Sequence, residues 1–381
     1  MTKPFEPVQV GPIQLRNRFI KSGANEAMSR RGAPTRMMVE FHRRIAAGGV
    51  GLNTIAYGSV NRVGRTLPHQ IVLERDIIPD LAAVADAVHA EGGRISMQVT
   101  HGGAFVTSLK VKGRTMSSSS GFYKGGMLAG NPLRRAMDED DMTAVAGEFV
   151  AAAKVVEEAG FDAVELHMGH GYLLNQFISP LDNKRRDAYG GSAENRARFP
   201  ARVLADVKQA VGQRLAVLAK INCADGVKGG ATAADGAVTA RVLQEAGVDM
   251  IVLSGGRNVE STWFMFGSKM NQQAMADVLG NNLLTRMALW VGSLGAPRDL
   301  QFKPLYFREY SRQIRGAVDV PLAYLGGVNS IDGAQQALDD GFDAIVLGRS
   351  LIHDPMFVAK LETGELSHSG CSNCNACVAY I

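Results

Sequence analysis

A (β/α)8 barrel, the TIM barrel, is the fold class this 381-residue sequence predicts, and three observations predict it. The first is a recurrence. Ala47-Gly48-Gly49-Val50-Gly51-Leu52, Ala159-Gly160-Phe161-Asp162-Ala163-Val164, Ala246-Gly247-Val248-Asp249-Met250-Ile251 and Asp340-Gly341-Phe342-Asp343-Ala344-Ile345 each read as helix end, glycine, short loop and strand. Glycine just past a helix suits the left-handed position that closes it. The apolar runs that follow lack alternation, as expected of strands buried on both faces in a parallel sheet. The second is spacing: the intervals between Gly49, Gly160, Gly247 and Gly341 are each about twice one βα unit, so each hides a further strand. The third is that those strands have candidates, Ile95 to Val99, Leu215 to Ile221 and Val320 to Leu325, with Arg18 to Ser22 opening the series.

The connecting elements follow in order. Helical patterns run over Ile78 to Glu91, Asp140 to Glu158, Asn195 to Val211 and Ala233 to Glu245. Two connections exceed ordinary loop lengths: His101 to Ala136 after strand three, carrying Ser117-Ser118-Ser119-Ser120, and Gly256 to about Leu305 after strand six. Both follow strands, so both are expected over the active-site face. The barrel is expected over residues 1–365, with a short Cys-containing tail over 366–381. Apolar residues make up 46% and charged residues 20%, which excludes wholesale disorder. No run of 18 uncharged apolar residues occurs, and Met1 to Glu6 carries no signal core, so a soluble, cytoplasmic protein without a membrane partner is expected. The 41 basic and 37 acidic residues are spread along the chain, which gives no footprint for nucleic acid. Four cysteines, three within the last eleven residues, are too few and too clustered to staple such a chain.

In this fold the chemistry lies at the carboxyl ends of the strands. Those ends are polar: Gln98-Val99-Thr100-His101 on strand three, Glu165-Leu166-His167-Met168-Gly169-His170-Gly171-Tyr172 on strand four, Lys220-Ile221-Asn222-Cys223 on strand five and Ser254 on strand six. Gly326-Gly327 and Gly348-Arg349 close strands seven and eight, where exposed backbone N–H groups and a guanidinium suit a phosphate. His167 and His170 suit either a metal or a substrate oxygen. Strand one ends Lys21-Ser22-Gly23-Ala24 and adds no ligand, so donation to an oxygen is favoured and no metal is expected. Tyr172 is the candidate proton donor.

Gly11-Pro12-Ile13-Gln14-Leu15-Arg16-Asn17-Arg18-Phe19, Gln98 to Gly103, the block from Gly160 through His167-Met168-Gly169-His170-Gly171-Tyr172 to Asp187-Ala188-Tyr189-Gly190-Gly191-Ser192-Ala193-Glu194-Asn195-Arg196, and Leu347-Gly348-Arg349 resemble the old yellow enzymes. The resemblance implies an FMN-containing barrel that takes hydride from NADH or NADPH and reduces an electron-poor alkene or a related small-molecule acceptor. It implies that Ser22, Gly23, Ala24 and Asn25 line the flavin, that Gln98 bonds its pyrimidine edge, and that Lys220 stands where relatives usually place an Arg. Gly326, Gly327, Gly348 and Arg349 would take the phosphate. His167 and His170 would grip the acceptor oxygen, and Tyr172 would protonate the carbon opposite the hydride. Gly23-Ala24-Asn25 departs from the Pro-Met-Thr or Pro-Met-Cys of many relatives, and Lys220 keeps a charge but loses the planar fork. Thr262-Trp263-Phe264-Met265-Phe266 reads as core packing or as a substrate-facing wall.

Larger relatives hold a [4Fe-4S] cluster on a Cys-rich segment that corresponds to Cys371, Cys374 and Cys377. A fourth thiolate here would have to be Cys223 or come from a neighbouring subunit, so a tail without a cluster is expected, with iron–sulfur and zinc as alternatives. Two other functional classes remain, a metal-dependent barrel hydrolase and a flavin-binding carrier without turnover. Oligomeric state, including a homo-oligomer, is left open.

Overall fold

Eight parallel strands close into a barrel: β1 Phe19–Lys21, β2 Leu52–Ser59, β3 Arg94–Thr100, β4 Ala163–Met168, β5 Ala216–Asn222, β6 Met250–Ser254, β7 Leu322–Leu325 and β8 Ala344–Leu347. Each pairs with the next, and β8 returns to β1 through Val346 opposite Ile20. The computed structural model describes residues 3–106, 114–126, 131–211, 213–280, 286, 296–297 and 299–380. Parts of both long connections, after β3 and after β6, lie outside the described residues.

The outer ring is α1 Arg36–Ala47, α2 Ile78–Ala90, α3 Glu139–Glu158, α4 Ala193–Val211, α5 Ala233–Glu245, α6 Arg308–Arg315, α7 Ile331–Asp339 and α8 Phe357–Glu362. Local chemistry starts these helices. Asp138 with Asp141 and Thr232 with Asp235 form reciprocal capping boxes at α3 and α5, satisfying backbone donors that would otherwise be orphaned. Glycines end them: Gly49, Gly160, Gly247 and Gly341 all have φ between +80° and +94°, so the repeated motif is a left-handed helix stop. β7 begins two residues later than the sequence suggests, because Pro321 has no N–H to add to the ladder.

Strand alternation decides what faces the axis. On β3, β4, β5 and β6, Ile95, Val164, Val217 and Ile251 point outward into the core under the helices. The alternate positions Ala163, Ala216, Leu218, Met250 and Val252 point inward. A hairpin of Val8–Val10 with Ile13–Leu15 plugs that end, packing Val10, Ile13 and Leu15 against these residues. Toward the carboxyl ends the inward series turns polar: Gln98, Glu165, His167, Lys220, Asn222 and Ser254, all buried. The apolar floor and polar upper layer follow from one period-two pattern.

Candidate active site

A cavity of 430 Å³ opens over the polar layer, and all thirteen residues singled out in the sequence line it: Ser22, Gly23, Ala24, Asn25, Gln98, His167, His170, Tyr172, Lys220, Gly326, Gly327, Gly348 and Arg349. Its size is within the range of small-molecule and cofactor sites. Residues from the ends of six strands, far apart in sequence, therefore meet in one place.

The turn after β4 sets the relation of the two histidines. His170 and Gly171 both have positive φ, +59° and +85°, folding the chain back so that Tyr172 precedes the short helix Leu173–Ile178. The His170 amide donates to Asn222 Oδ1 at 3.1 Å, and the Gly171 amide donates to Asn175 Oδ1 at 2.9 Å. The His167 ring centroid lies 4.9 Å from that of His170 and 4.7 Å from that of Tyr172. The Gly169 amide donates to His167 Nδ1 at 3.2 Å, so a neutral His167 carries its proton on Nε2. His170 Nε2 pairs with Ser254 Oγ at 2.8 Å. Burial and the charge of Lys220 hold both rings neutral: His170 is pushed down to about 3, and His167, which also faces His170, well below its ordinary value. Tyr172 Oη donates to Tyr57 Oη at 3.2 Å, and burial with the nearby Tyr57 raises its pKa well above that of a free phenol. The cavity thus offers neutral imidazoles and a firmly protonated phenol.

Charged groups sit beneath. Lys220 Nζ donates to Ser22 Oγ at 3.2 Å and Gly23 O at 3.3 Å, and pairs with Glu165 Oε1 at 3.4 Å. Gln98 Nε2 donates to the same Glu165 oxygen at 2.5 Å. A second buried pair joins Lys21 to Glu26, and Lys21 also donates to Thr54 O at 2.9 Å. A Cβ on Gly23 would stand 2.7 Å from Gln98 Nε2, so any larger residue there displaces the amide that Glu165 holds.

Gly326 and Gly327 take φ of +143° and +83°, and a Cβ on either would meet the ring of Phe307 or Tyr306 at 2.8 Å. A Cβ on Gly348 would meet no protein atom within 4 Å, leaving its backbone open. Arg349 is engaged elsewhere: its guanidinium donates to Asn375 Oδ1 at 2.6 Å, Ser268 Oγ at 3.2 Å and Phe266 O at 2.9 Å, and lies over the Phe302 ring. It clamps the Cys-containing segment to the connection after β6. Asn373, Cys377 and Val378 of that segment line the cavity. The stretch Thr262–Phe266 forms a short helix and divides the two readings between its residues. Thr262, Met265 and Phe266 face the cavity, while Phe264 stacks on Phe307 and Tyr310. Among the described residues, no three His, Cys, Asp or Glu side chains are grouped as metal ligands.

Several residues of the site escaped the sequence reading. Tyr57 and Thr66 bring a hydroxyl pair at 2.5 Å; nothing in an apolar strand marks one tyrosine as facing a cavity. Arg257 is fully buried, donating to Asp182 Oδ2 at 2.6 Å, Glu260 Oε2 at 2.9 Å and Asn175 Oδ1 at 3.3 Å. The Asn258 amide donates to His170 O at 3.1 Å, so this loop braces the turn after β4. A cation directly after the Ser254-Gly255-Gly256 strand end was the available signal.

The donor set, the open glycine backbones and the cavity fit a flavin mononucleotide. The profile of the NADH:flavin oxidoreductase / NADH oxidase family matches residues 3–276. The chain belongs to this family. The chain is 34% identical over 387 aligned positions to the 4,4'-dithiodibutanoate disulfide reductase of Rhodococcus erythropolis, covering 99% of this chain and 92% of that one. It is 27% identical over 359 positions to an NADPH dehydrogenase of Bacillus subtilis, covering 93% of each. The old yellow enzyme homologue of Zymomonas mobilis shares the fold, with a TM-score of 0.75 at 22% identity over 98% of this chain and 96% of that one. Membership makes the chain a flavin oxidoreductase and implies FMN with a nicotinamide donor.

Proposed function

We propose that the protein is an FMN-dependent reductase of α,β-unsaturated carbonyl compounds or related electron-poor small molecules, using NADH or NADPH. The observation that carries this reading is the convergence of His167, His170 and Tyr172 on one cavity with Lys220 and the glycine-lined strand ends. Bound there, FMN would supply the two-electron store that accepts hydride from the nicotinamide and delivers it to the acceptor. Ser22, Gly23, Ala24, Asn25, Gln98 and Lys220 would hold the ring, and the backbones of Gly326, Gly327 and Gly348 the phosphate, with Arg349, expected from sequence to share that role, instead holding the cavity wall through Asn375, Ser268 and Phe266. His167, with its proton on Nε2, and His170 donate to the acceptor oxygen, which draws electron density from the β-carbon. Tyr172 supplies the proton at the α-carbon. A carrier without turnover has no use for two neutral imidazoles and a phenol in one pocket.

The test is the visible spectrum of the purified protein. It should be yellow, release FMN on denaturation, bleach under anaerobic NADPH or NADH and regain colour with cyclohexenone. Release of FAD, or no flavin after reconstitution, would refute the reading. A disulfide acceptor is a second reading, favoured because Cys377 lines the cavity and the relative from Rhodococcus erythropolis is named for a disulfide. Faster colour return with 4,4'-dithiodibutanoate than with cyclohexenone would select it.

A further inference from the structure

Glu165 has no place in the chemistry above, yet it is 1% exposed and stands at the centre of the polar layer. On β4 it lies opposite Gln98 of β3, two residues before His167 pairs with Lys220 of β5. One of its oxygens, Oε1, receives both neighbours, Gln98 Nε2 at 2.5 Å and Lys220 Nζ at 3.4 Å. Both of these side chains line the cavity. Lys220 completes its contacts with Ser22 Oγ and Gly23 O, so the carboxylate is the anion that holds this ammonium. The other buried cation nearby, Lys21, has its own partner in Glu26.

We infer that Glu165 is a positioning residue that sets the electron affinity of the bound flavin by holding Gln98 and Lys220 and offsetting the charge of Lys220. The inference rests on the FMN reading of the cavity. Its logic is electrostatic: a reduced flavin is anionic, so a cation at its edge favours reduction, and a carboxylate behind that cation weakens the effect. Removing the carboxylate's charge while keeping its shape therefore makes the flavin easier to reduce. A purely structural carboxylate would change stability and leave the flavin's electron affinity alone.

The probe is sulfite, which adds to oxidised flavin and leaves negative charge on the ring, so its affinity follows the same field without turnover. Glu165→Gln should bind sulfite at least roughly tenfold more tightly than wild type and show a more positive flavin reduction potential. Lys220→Gln should shift both in the opposite direction. The double variant restores the charge balance and should lie within about threefold of wild type, the two changes offsetting each other.

If Glu165→Gln cannot be folded, because it leaves an ammonium buried without its anion, the double variant must still bind sulfite at least roughly tenfold more tightly than Lys220→Gln. Sulfite affinity of Glu165→Gln within about twofold of wild type, with FMN retained, overturns the inference and leaves the proposed function standing. So does loss of FMN from the single and double variants alike, which would make Glu165 structural. A folded wild-type protein that binds no FMN overturns the proposed function and this inference together.

Discussion

Tyr172→Phe separates the proton donation proposed for Tyr172 from everything else the ring does. Tyr172 is 5% exposed, and its ring packs against Tyr57, Phe105 and His167 at centroid distances of 5.6, 5.8 and 4.7 Å. Phenylalanine keeps those contacts. What is lost is one O–H, whose 3.2 Å bond to Tyr57 is worth about 1 kcal/mol, and Tyr57 keeps Thr66 as a partner. Loss of a general acid costs roughly 10² to 10⁴ in rate, or about 2.7 kcal/mol and more in the barrier. The stability cost is therefore too small to explain the expected loss of rate. In rapid mixing, NADPH should bleach the variant at the wild-type rate, while colour return with cyclohexenone slows by roughly 10² or more. A quinone, which needs no carbon protonation, should remain fast. Burial holds the phenol protonated well beyond its ordinary range, so the wild-type enone rate should show no loss from this group up to pH 9. Equal losses in both half-reactions would mean that Tyr172 positions ligands, and an unchanged enone rate would assign the proton elsewhere.

Burial holds His101 down to about 4 and His170 to about 3, and His42 and His167 well below the usual value. In the unfolded chain these groups titrate near ~6.5, so unfolding takes up protons below that pH. Their stabilisation is complete above about 6.5 and is lost as pH falls toward 4, so the urea midpoint should drop from pH 7.5 to pH 5; an equal midpoint at both refutes the assignment. Gly326→Ala forces a Cβ to 2.8 Å from Phe307 at a φ of +143°, and should cost roughly 1–3 kcal/mol and weaken FMN retention, read by urea titration and by flavin content after dialysis. Iodoacetamide should label Cys374 first, since it is exposed and its thiol is acidified by the Ala376 amide and Ser372. Cys377, half-buried and raised by burial, should follow and be slowed by bound FMN, and Cys223 should react only after unfolding; mass spectrometry of the digests gives the order, and early labelling of Cys223 would contradict the packing.

The barrel was legible because its grammar is local. A glycine stop followed by a doubly buried strand is a backbone requirement repeated at Gly49, Gly160, Gly247 and Gly341, and each repeat is visible within six residues. The polar strand ends were legible for a related reason. Period-two alternation puts Glu165 and His167 on one side of β4 and Leu166 on the other, whatever the rest of the chain does. The fold, together with the convergence of its strand ends on one mouth, thus followed from the sequence alone.

Only the tertiary structure decided the contacts that depend on a turn or on closure of the ring. The approach of His170 to His167 needs the positive φ at His170 and the amide anchor on Asn222, fifty-two residues away. Arg349 reads in sequence as a free phosphate fork, but folding gives its donors to Asn375, Ser268 and Phe266 and so makes the Cys-containing segment a wall of the cavity. Arg257 became a buried brace because Asn175 of the short helix after β4 and Asp182 beyond it arrive at it together with Glu260 of its own loop. Residue type and spacing determined which groups face the axis, since alternation is set by the backbone. Which of those groups are free to act was decided by partners that the sequence places far away and only the closed barrel brings within hydrogen-bond reach.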